Sequence, residues 1–306
     1  MNCSRKLQSR LKACLPHALR ILALICLLGS GISLLPAGEP RPLTRDGRAK
    51  QDPVFSPQGD AVDFAVYESQ IQISLMRLRL ADGEQTRINP KANTNEFELA
   101  YSRNGSHMAF VQNRGNLNLK LVIRDLKTGQ ESVFDGGGGF SGMHSPAFQP
   151  GTDRVFMSIP AKGGQQLASI NLQAQDRREV TTWSGITNWP TFSPDGREVL
   201  FASSKDGDFE IYLMNTDGSN LRRLTESPGR DTRPQLSPDG SQISFVSVRD
   251  GNAEVYVMDR YGNRIRRVTN HPERDDYPCW HPNGRQLVLM SERLGKTDLY
   301  LVDVPD

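Results

Sequence analysis

Residues 189–225 read WPTFSPDGREVLFASSKDGDFEIYLMNTDGSNLRRLT. The phrase returns at 233–269 as RPQLSPDGSQISFVSVRDGNAEVYVMDRYGNRIRRVT, and in a shorter copy at 277–303 as YPCWHPNGRQLVLMSERLGKTDLYLVD. Three weaker copies lie upstream: DPVFSPQGDAVDF (52–64), ELAYSRNGSHMAFV (98–111) and SPAFQPGTDRVFM (145–157). The turn position in the six copies is held by Pro57, Arg103, Pro150, Pro194, Pro238 and Pro282, at spacings of 46, 47, 44, 44 and 44 residues. Repeats of about 45 residues fit a propeller, in which each copy is one four-stranded blade. Runs such as EVLFAS and EIYLMN alternate as half-buried strands do. Asp-Gly or Asn-Gly pairs at 195–196, 239–240 and 283–284, and at 206–207, 217–218 and 250–251, supply the positive φ that tight hairpins need. The expected fold is all-β: a six-bladed β-propeller of four-stranded antiparallel blades over 39–306.

The last copy stops after DLYLVD, three strands into its blade, whereas the region after the leader opens with RPLT at 41–44. Complete copies place a threonine 13 residues before the turn proline: Thr181, Thr225 and Thr269. Thr44 stands at the same distance from Pro57. The opening fragment therefore reads as the missing outer strand, with 40–45 pairing in the last blade to close the ring and cover an open edge.

Two positions before the turn stands a large side chain in every copy: Phe55, Tyr101, Phe148, Phe192, Leu236 and Trp280. One step earlier stand Val54, Ala100, Ala147, Thr191, Gln235 and Cys279. Neighbouring strand residues face opposite sides, so the first set is expected between blades and the second along the axis. Cys279 is then a small axial residue, with a reactive thiol as the other reading. Lys205 with Glu210, Arg249 with Glu254 and Arg293 with Asp298 are each five apart across a hairpin, and read as cross-strand ion pairs contributing up to about 1 kcal/mol.

Residues 1–38 differ from the rest. Arg5, Lys6, Arg10, Lys12 and Arg20 precede the apolar run ILALICLL at 21–28, and small or turn residues follow. That order is expected of a secretory signal, with an uncleaved anchor as the alternative. Removing these five basic residues from the total of 37 leaves 32 against 35 acidic, a net of −3, which argues against a nucleic-acid partner. Cys3, Cys14 and Cys26 also lie in the leader, so Cys279 alone remains and makes neither an intramolecular disulfide nor a cysteine metal cluster.

The stretch FSPDGREVLFASSKDGDFEIYLMNTDGSNLRRLT resembles the repeat of the TolB-like propeller family, the PD40-type repeats related to WD40. The resemblance is strongest over 189–303 and extends more weakly over 39–188. It implies an exported, periplasmic or secreted propeller that acts through protein contacts in the cell envelope, with a lipoprotein-like partner and a role related to the Tol-Pal system. TolB carries an α/β domain and a partner-binding arm ahead of its propeller; here the leader is expected to run almost directly into the first blade.

Propellers place chemistry where the loops from outer strand to next inner strand converge. The residue two before the first proline-like position gives Gln51, Phe97, His144, Asn188, Thr232 and Asp276; one step further out stand Lys50, Glu96, Met143, Thr187, Asp231 and Asp275. From these, Glu96, His144, Asn188, Asp231, Asp275 and Asp276 are the candidate ligand- or partner-binding residues of an axial mouth. The carboxylates could hold Ca²⁺ or receive a basic peptide, or could hydrogen-bond loop backbone; otherwise no cofactor is expected. No Gly-x-Ser-x-Gly elbow is present. His107 and His281 read as structural, while His144 and His271, in mouth loops, could pair with Asp275 or Asp276 as acid and base. DGGGGFSG at 135–142 reads as a mouth loop. The leading expectation is a monomeric, non-catalytic interaction scaffold; the alternative is a propeller enzyme or ligand-binding protein acting on a sugar or peptide.

Overall fold

The computed structural model describes residues 40–113, 118–136 and 142–304. The leader and residues 137–141 of the glycine-rich loop lie outside the described residues, so the expectations placed on them are not addressed by it. The described chain is built from twenty-four strands and contains no helix.

Strand β1 (Arg41–Pro42) is followed by β2–β5 (Lys50–Phe55, Ala61–Tyr67, Ile73–Arg79, Gln85–Arg87) and β6–β9 (Asn95–Tyr101, His107–Asn113, Leu119–Asp125, Glu131–Phe134). Then come β10–β13 (His144–Phe148, Arg154–Ala161, Gly164–Asn171, Arg178–Glu179) and β14–β17 (Gly185–Phe192, Glu198–Ser203, Glu210–Asn215, Arg222–Arg223). The last are β18–β21 (Asp231–Leu236, Gln242–Ser247, Glu254–Asp259, Arg266–Arg267) and β22–β24 (Asp275–Trp280, Gln286–Arg293, Lys296–Asp303).

Four sheets have four strands each: β2–β5, β6–β9, β18–β21, and β22–β24 with β1. The sets β10–β13 and β14–β17 are joined into one eight-stranded sheet by a short parallel contact of β12 with β14, Gly164 opposite Gly185 and Gln165 opposite Ile186. A β-carbon on Gly164 would stand 2.1 Å from the Gly185 carbonyl oxygen, so this approach requires glycine. All other strand pairs are antiparallel, as the hairpin signals required.

The opening fragment takes its expected place. Arg41 lies opposite Leu301 and Pro42 opposite Tyr300, the Leu43 amide donates to the Leu299 carbonyl, and Thr44 donates to Asp298 Oδ1 at 2.7 Å while accepting from the Leu299 amide at 3.0 Å. Thr225 and Thr269 do the same for Glu210 with Ile211 and for Glu254 with Val255, and Thr181 accepts from the Leu167 amide. The recurring threonine is thus a bolt that ties four of the outer strands to the strand inside each.

Six apolar clusters lie between consecutive strand sets. One is shared by β2–β4 and the last set, uniting Phe55, Phe64 and Val66 with Val288, Met290 and Leu299, so first and last repeats pack as neighbours. The others join each set to the next in chain order. Phe55, Leu236 and Trp280 are buried in these clusters, and Tyr101, Phe148 and Phe192 pack against them, as expected of residues between blades. On the turn side, the glycine of one repeat packs on the proline of its predecessor: Gly105 on Pro57, Gly240 on Pro194, and Gly59 on His281 and Pro282. In the third repeat the glycine, Gly151, stands one place earlier in the turn, and a β-carbon there would meet nothing within 4 Å.

The expected pairs five apart do not form. Arg249 reaches Asp231 instead and Arg293 reaches Asp275, while Lys205 pairs with its neighbour Asp206. Glu210 and Glu254 take Arg223 and Arg267 from the outer strand, and Asp298 takes Lys50. Glu210, Glu254 and the aspartates at 231 and 275 are buried. Each of these four carboxylates is met by an arginine whose long stem can reach in from a neighbouring segment.

Candidate axial site

Each innermost strand carries the same irregularity near its start. The ladder register shifts between Gln51 and Val54, Phe97 and Ala100, His144 and Ala147, Asn188 and Thr191, Thr232 and Gln235, and Asp276 and Cys279. Within each shift one residue adopts a positive φ: Asp52, Glu98, Ser145, Trp189, Arg233 and Tyr277, all between 49° and 56°. None is glycine, and all but Glu98 directly precede proline, which ordinarily drives the preceding residue to extended conformations. Such backbone costs on the order of 1–3 kcal/mol per residue and persists only where the surroundings impose it. A bulge re-aims a side chain; here six of them face one axial cavity of about 110 Å³.

Val54, Thr191 and Gln235 line the same cavity, as expected for axial positions, together with prolines 53, 146, 190, 234 and 278. Cys279 packs against the cluster between the first and last repeats, and burial pushes its thiol up to about 11, which makes it unreactive at neutral pH.

The six ring residues divide by chemistry. The Arg233 guanidinium lies 4.0 Å from the centre of the Tyr277 ring and 4.9 Å from that of Trp189, a cation between two aromatic faces. Its Nη1 stands 3.3 Å from Asp276 Oδ1, and its buried Nε has no hydrogen-bond partner. On the other side Glu98 accepts from the Ser145 amide at 2.5 Å and pairs with His144 Nδ1 at 2.9 Å. The Asp52 carboxyl is pushed up to about 8, first by burial and then by the negative charges of Glu98 and Asp276, against the opposing Arg233 and His144. Burial also raises the Tyr277 hydroxyl to about 12.

Of the six sequence candidates, three adjoin this ring. His144 holds Glu98; the Asn188 and Asp276 carboxamide and carboxylate oxygens accept from the amides of Trp189 and Tyr277 at 3.0 and 2.7 Å, bracing the strained backbone. The other three turn away into the sheets. Glu96 is buried against Asn89 and Gln112, Asp231 is held by Arg249 at 2.8 Å, and Asp275 by Ser291 at 2.5 Å and Arg293 at 2.9 Å. In fact all six residues at that step, Lys50, Glu96, Met143, Thr187, Asp231 and Asp275, are buried. They lock strands together and do not form a mouth.

The expected acid–base pairing is corrected as well: His144 takes Glu98, and His271 uses its ring nitrogen to accept from the Glu273 amide, away from Asp275 and Asp276. Among the described residues no three His, Cys, Asp or Glu side chains converge as a metal-ligand set. The ring residues missed from sequence had a usable signal. Each stands two places before an axial position, on the same strand face, and in five repeats immediately before a proline.

The description of the TolB beta propeller domain matches residues 81–225 and again 167–306. Similar solved structures include a TolB-assigned protein from Agrobacterium tumefaciens, 20% identical with a TM-score of 0.67, covering 86% of this chain and 93% of that one. TolB from Acinetobacter baumannii is 21% identical with a TM-score of 0.62, covering 82% and 62%. An oligogalacturonate lyase in complex with manganese is 17% identical with a TM-score of 0.61, covering 87% and 93%. At these identities the structural likeness bears on the fold alone. No curated protein matches the chain in sequence.

Proposed function

This chain belongs to the TolB beta propeller domain family, and from that premise we propose that it is a six-bladed, non-catalytic interaction module that docks a protein or peptide over its axial cavity. The blade count takes β10–β13 and β14–β17 as two blades, because each carries one repeat and a separate apolar cluster joins each to its next neighbour. The observation that carries the docking role is the stack of Trp189, Arg233 and Tyr277 at the cavity. These are the residue types that dominate binding energy at protein interfaces, and here they are pre-ordered.

The leader is read as an export signal, so the propeller works as a monomer in the periplasm or outside the cell, with an envelope protein as partner; a Tol-Pal-type role follows from the resemblance. The reading requires no nucleic acid and no cofactor. Calcium held by Asp231, Asp275 and Asp276 is not part of it, because arginines already neutralise those carboxylates. The test is capture of an envelope partner by the mature chain and measurement of its Kd against Trp189→Ala. Loss of a deeply packed aromatic anchor should weaken binding at least about 30-fold, corresponding to about 2 kcal/mol; an unchanged Kd rejects the site.

A second reading has one specific observation in its favour. The His144 ring is oriented by Glu98, which lines the cavity, the arrangement of a base and its positioning carboxylate, and an oligogalacturonate lyase shares the fold. Turnover of an acidic oligosaccharide that is abolished by His144→Ala, with the fold intact, would replace the docking role by an enzymatic one.

A further inference from the structure

The docking role leaves open what a partner inserts into the axial cavity, and the charges on its wall bear on that. Two carboxylates, Asp52 and Glu98, line it with the guanidinium of Arg233, and behind this wall the charges of Asp276 and His144 also act on Asp52. Glu98 is occupied by the Ser145 amide and His144. Asp276 is occupied by the Tyr277 amide and Arg233, with the more exposed Arg274 at 3.9 Å from its other oxygen. Asp52 lines the cavity and makes no side-chain hydrogen bond or ion pair with any described residue. Its backbone is held at φ 52° before Pro53, which fixes the carboxyl where open space adjoins it.

An enclosed carboxylate without a partner is unfavourable, and a cation is the group that relieves it. Arg233 does not serve as a matching anion receptor. It already stacks on Trp189 and Tyr277 and pairs with Asp276, and its Nε is sealed from solvent. The ring is therefore short of a positive charge, not of a negative one.

Resting on the docking role above, we propose that the axial cavity receives a primary ammonium group, from a lysine side chain or a chain amino-terminus of the partner, which pairs with the carboxylate of Asp52. Because burial and the neighbouring Glu98 and Asp276 carboxylates hold Asp52 near 8 despite Arg233 and His144, an ammonium entering at pH 7 displaces a proton from it. Affinity for a lysine ammonium then rises about tenfold from pH 6 to pH 7 and levels off above 8, whereas affinity for an amino-terminus, whose own pKa is about 8, falls again above that pH.

The test titrates the mature chain with N-acetyl-Gly-Lys-Gly-amide, with its norleucine counterpart, and with Gly-Gly-Gly-amide bearing a free amino-terminus. Calorimetry runs in buffers of different ionisation enthalpy between pH 6 and 9. The expected result is binding of an ammonium-bearing peptide, release of close to one proton at pH 7, and no binding of the norleucine peptide. The lysine and amino-terminal arms separate the two sources. Asp52→Asn should abolish both binding and proton release, and asparagine tolerates the positive φ at this position; the wild-type proton release reads the proposal even if that variant is unstable.

Equal binding of the norleucine peptide, unchanged affinity in Asp52→Asn, or no binding of either ammonium peptide at pH 8 overturns it. So does Ca²⁺ binding that depends on Asp52 while both ammonium peptides are ignored. A captured envelope partner held equally by wild type and Asp52→Asn sinks the ammonium and leaves the docking role standing, whereas indifference to Trp189→Ala sinks the docking role itself.

Discussion

Thr225 serves two groups at once: it accepts from the Ile211 amide at 3.0 Å and donates to the buried Glu210 carboxylate at 2.6 Å. Thr225→Ala removes both while leaving both partners enclosed, so urea unfolding should show a loss of about 1–3 kcal/mol; a loss below about 0.3 kcal/mol would make the bolt decorative. Its 13-residue distance to the turn was legible in the sequence, and so was the identity of Thr44 as the same residue in another blade. Its function was not, because the glutamate it binds, at the start of the adjoining strand β16, lies 15 residues back along the chain and outside any local pattern. Asp52 gives a residue-scale prediction of opposite character. Its folded pKa is raised, so the stability it contributes is present below its unfolded value near 4 and is lost as pH rises towards about 8. The melting temperature should therefore fall between pH 5 and pH 8.5, and Asp52→Asn should flatten that slope. A profile identical in the two proteins would place the titration elsewhere.

At the scale of the strand, alternation in the sequence was a sound guide to the central stretch of each blade. Phe55 and its equivalents lie between sheets and Val54, Thr191 and Gln235 along the axis, as alternation requires. The guide failed at strand starts. There the positive-φ residue resets which way neighbours point, so Glu96, Asp231 and Asp275 enter the sheets and Asp52 and Arg233 face the channel. The charge pairs failed for a related reason: spacing along a hairpin says which residues are opposite, not which carboxylate lies deepest and demands a cation. Since Asp231 is fully buried and Arg249 its ion-pair partner, Arg249→Ala should cost about 3–5 kcal/mol, not the few tenths expected of an exposed cross-strand pair. Thermal unfolding of Arg249→Ala beside Arg249→Ala/Asp231→Leu distinguishes the two, because removing the stranded carboxylate should restore much of the loss.

For the molecule as a whole, the repeat spacing and the RPLT fragment were enough to anticipate a propeller closed by its first strand. What they could not carry is the axial ring, whose six members, Asp52, Glu98, Ser145, Trp189, Arg233 and Tyr277, share a backbone conformation and no side-chain chemistry. Closure itself is testable. Deleting 40–45 removes β1, the Thr44 bolt and the cover of β24, so the whole transition should weaken, with a melting temperature lower by several degrees, although the deleted stretch is mostly half-exposed. Moving 40–49 to follow residue 304 should preserve the fold, since β1 already pairs with β24.

The bond between Thr44 and Asp298 spans 254 residues of chain. A ribosome adding about 5–20 residues per second needs roughly 10–50 s to separate the appearance of one end from the other. Throughout that interval the first blade has no neighbour on one side and the strand that will seal the last blade has nothing to seal. Completion of the ring therefore cannot precede the emergence of β24, and any factor that keeps the nascent chain extended until that strand emerges works with this architecture rather than against it.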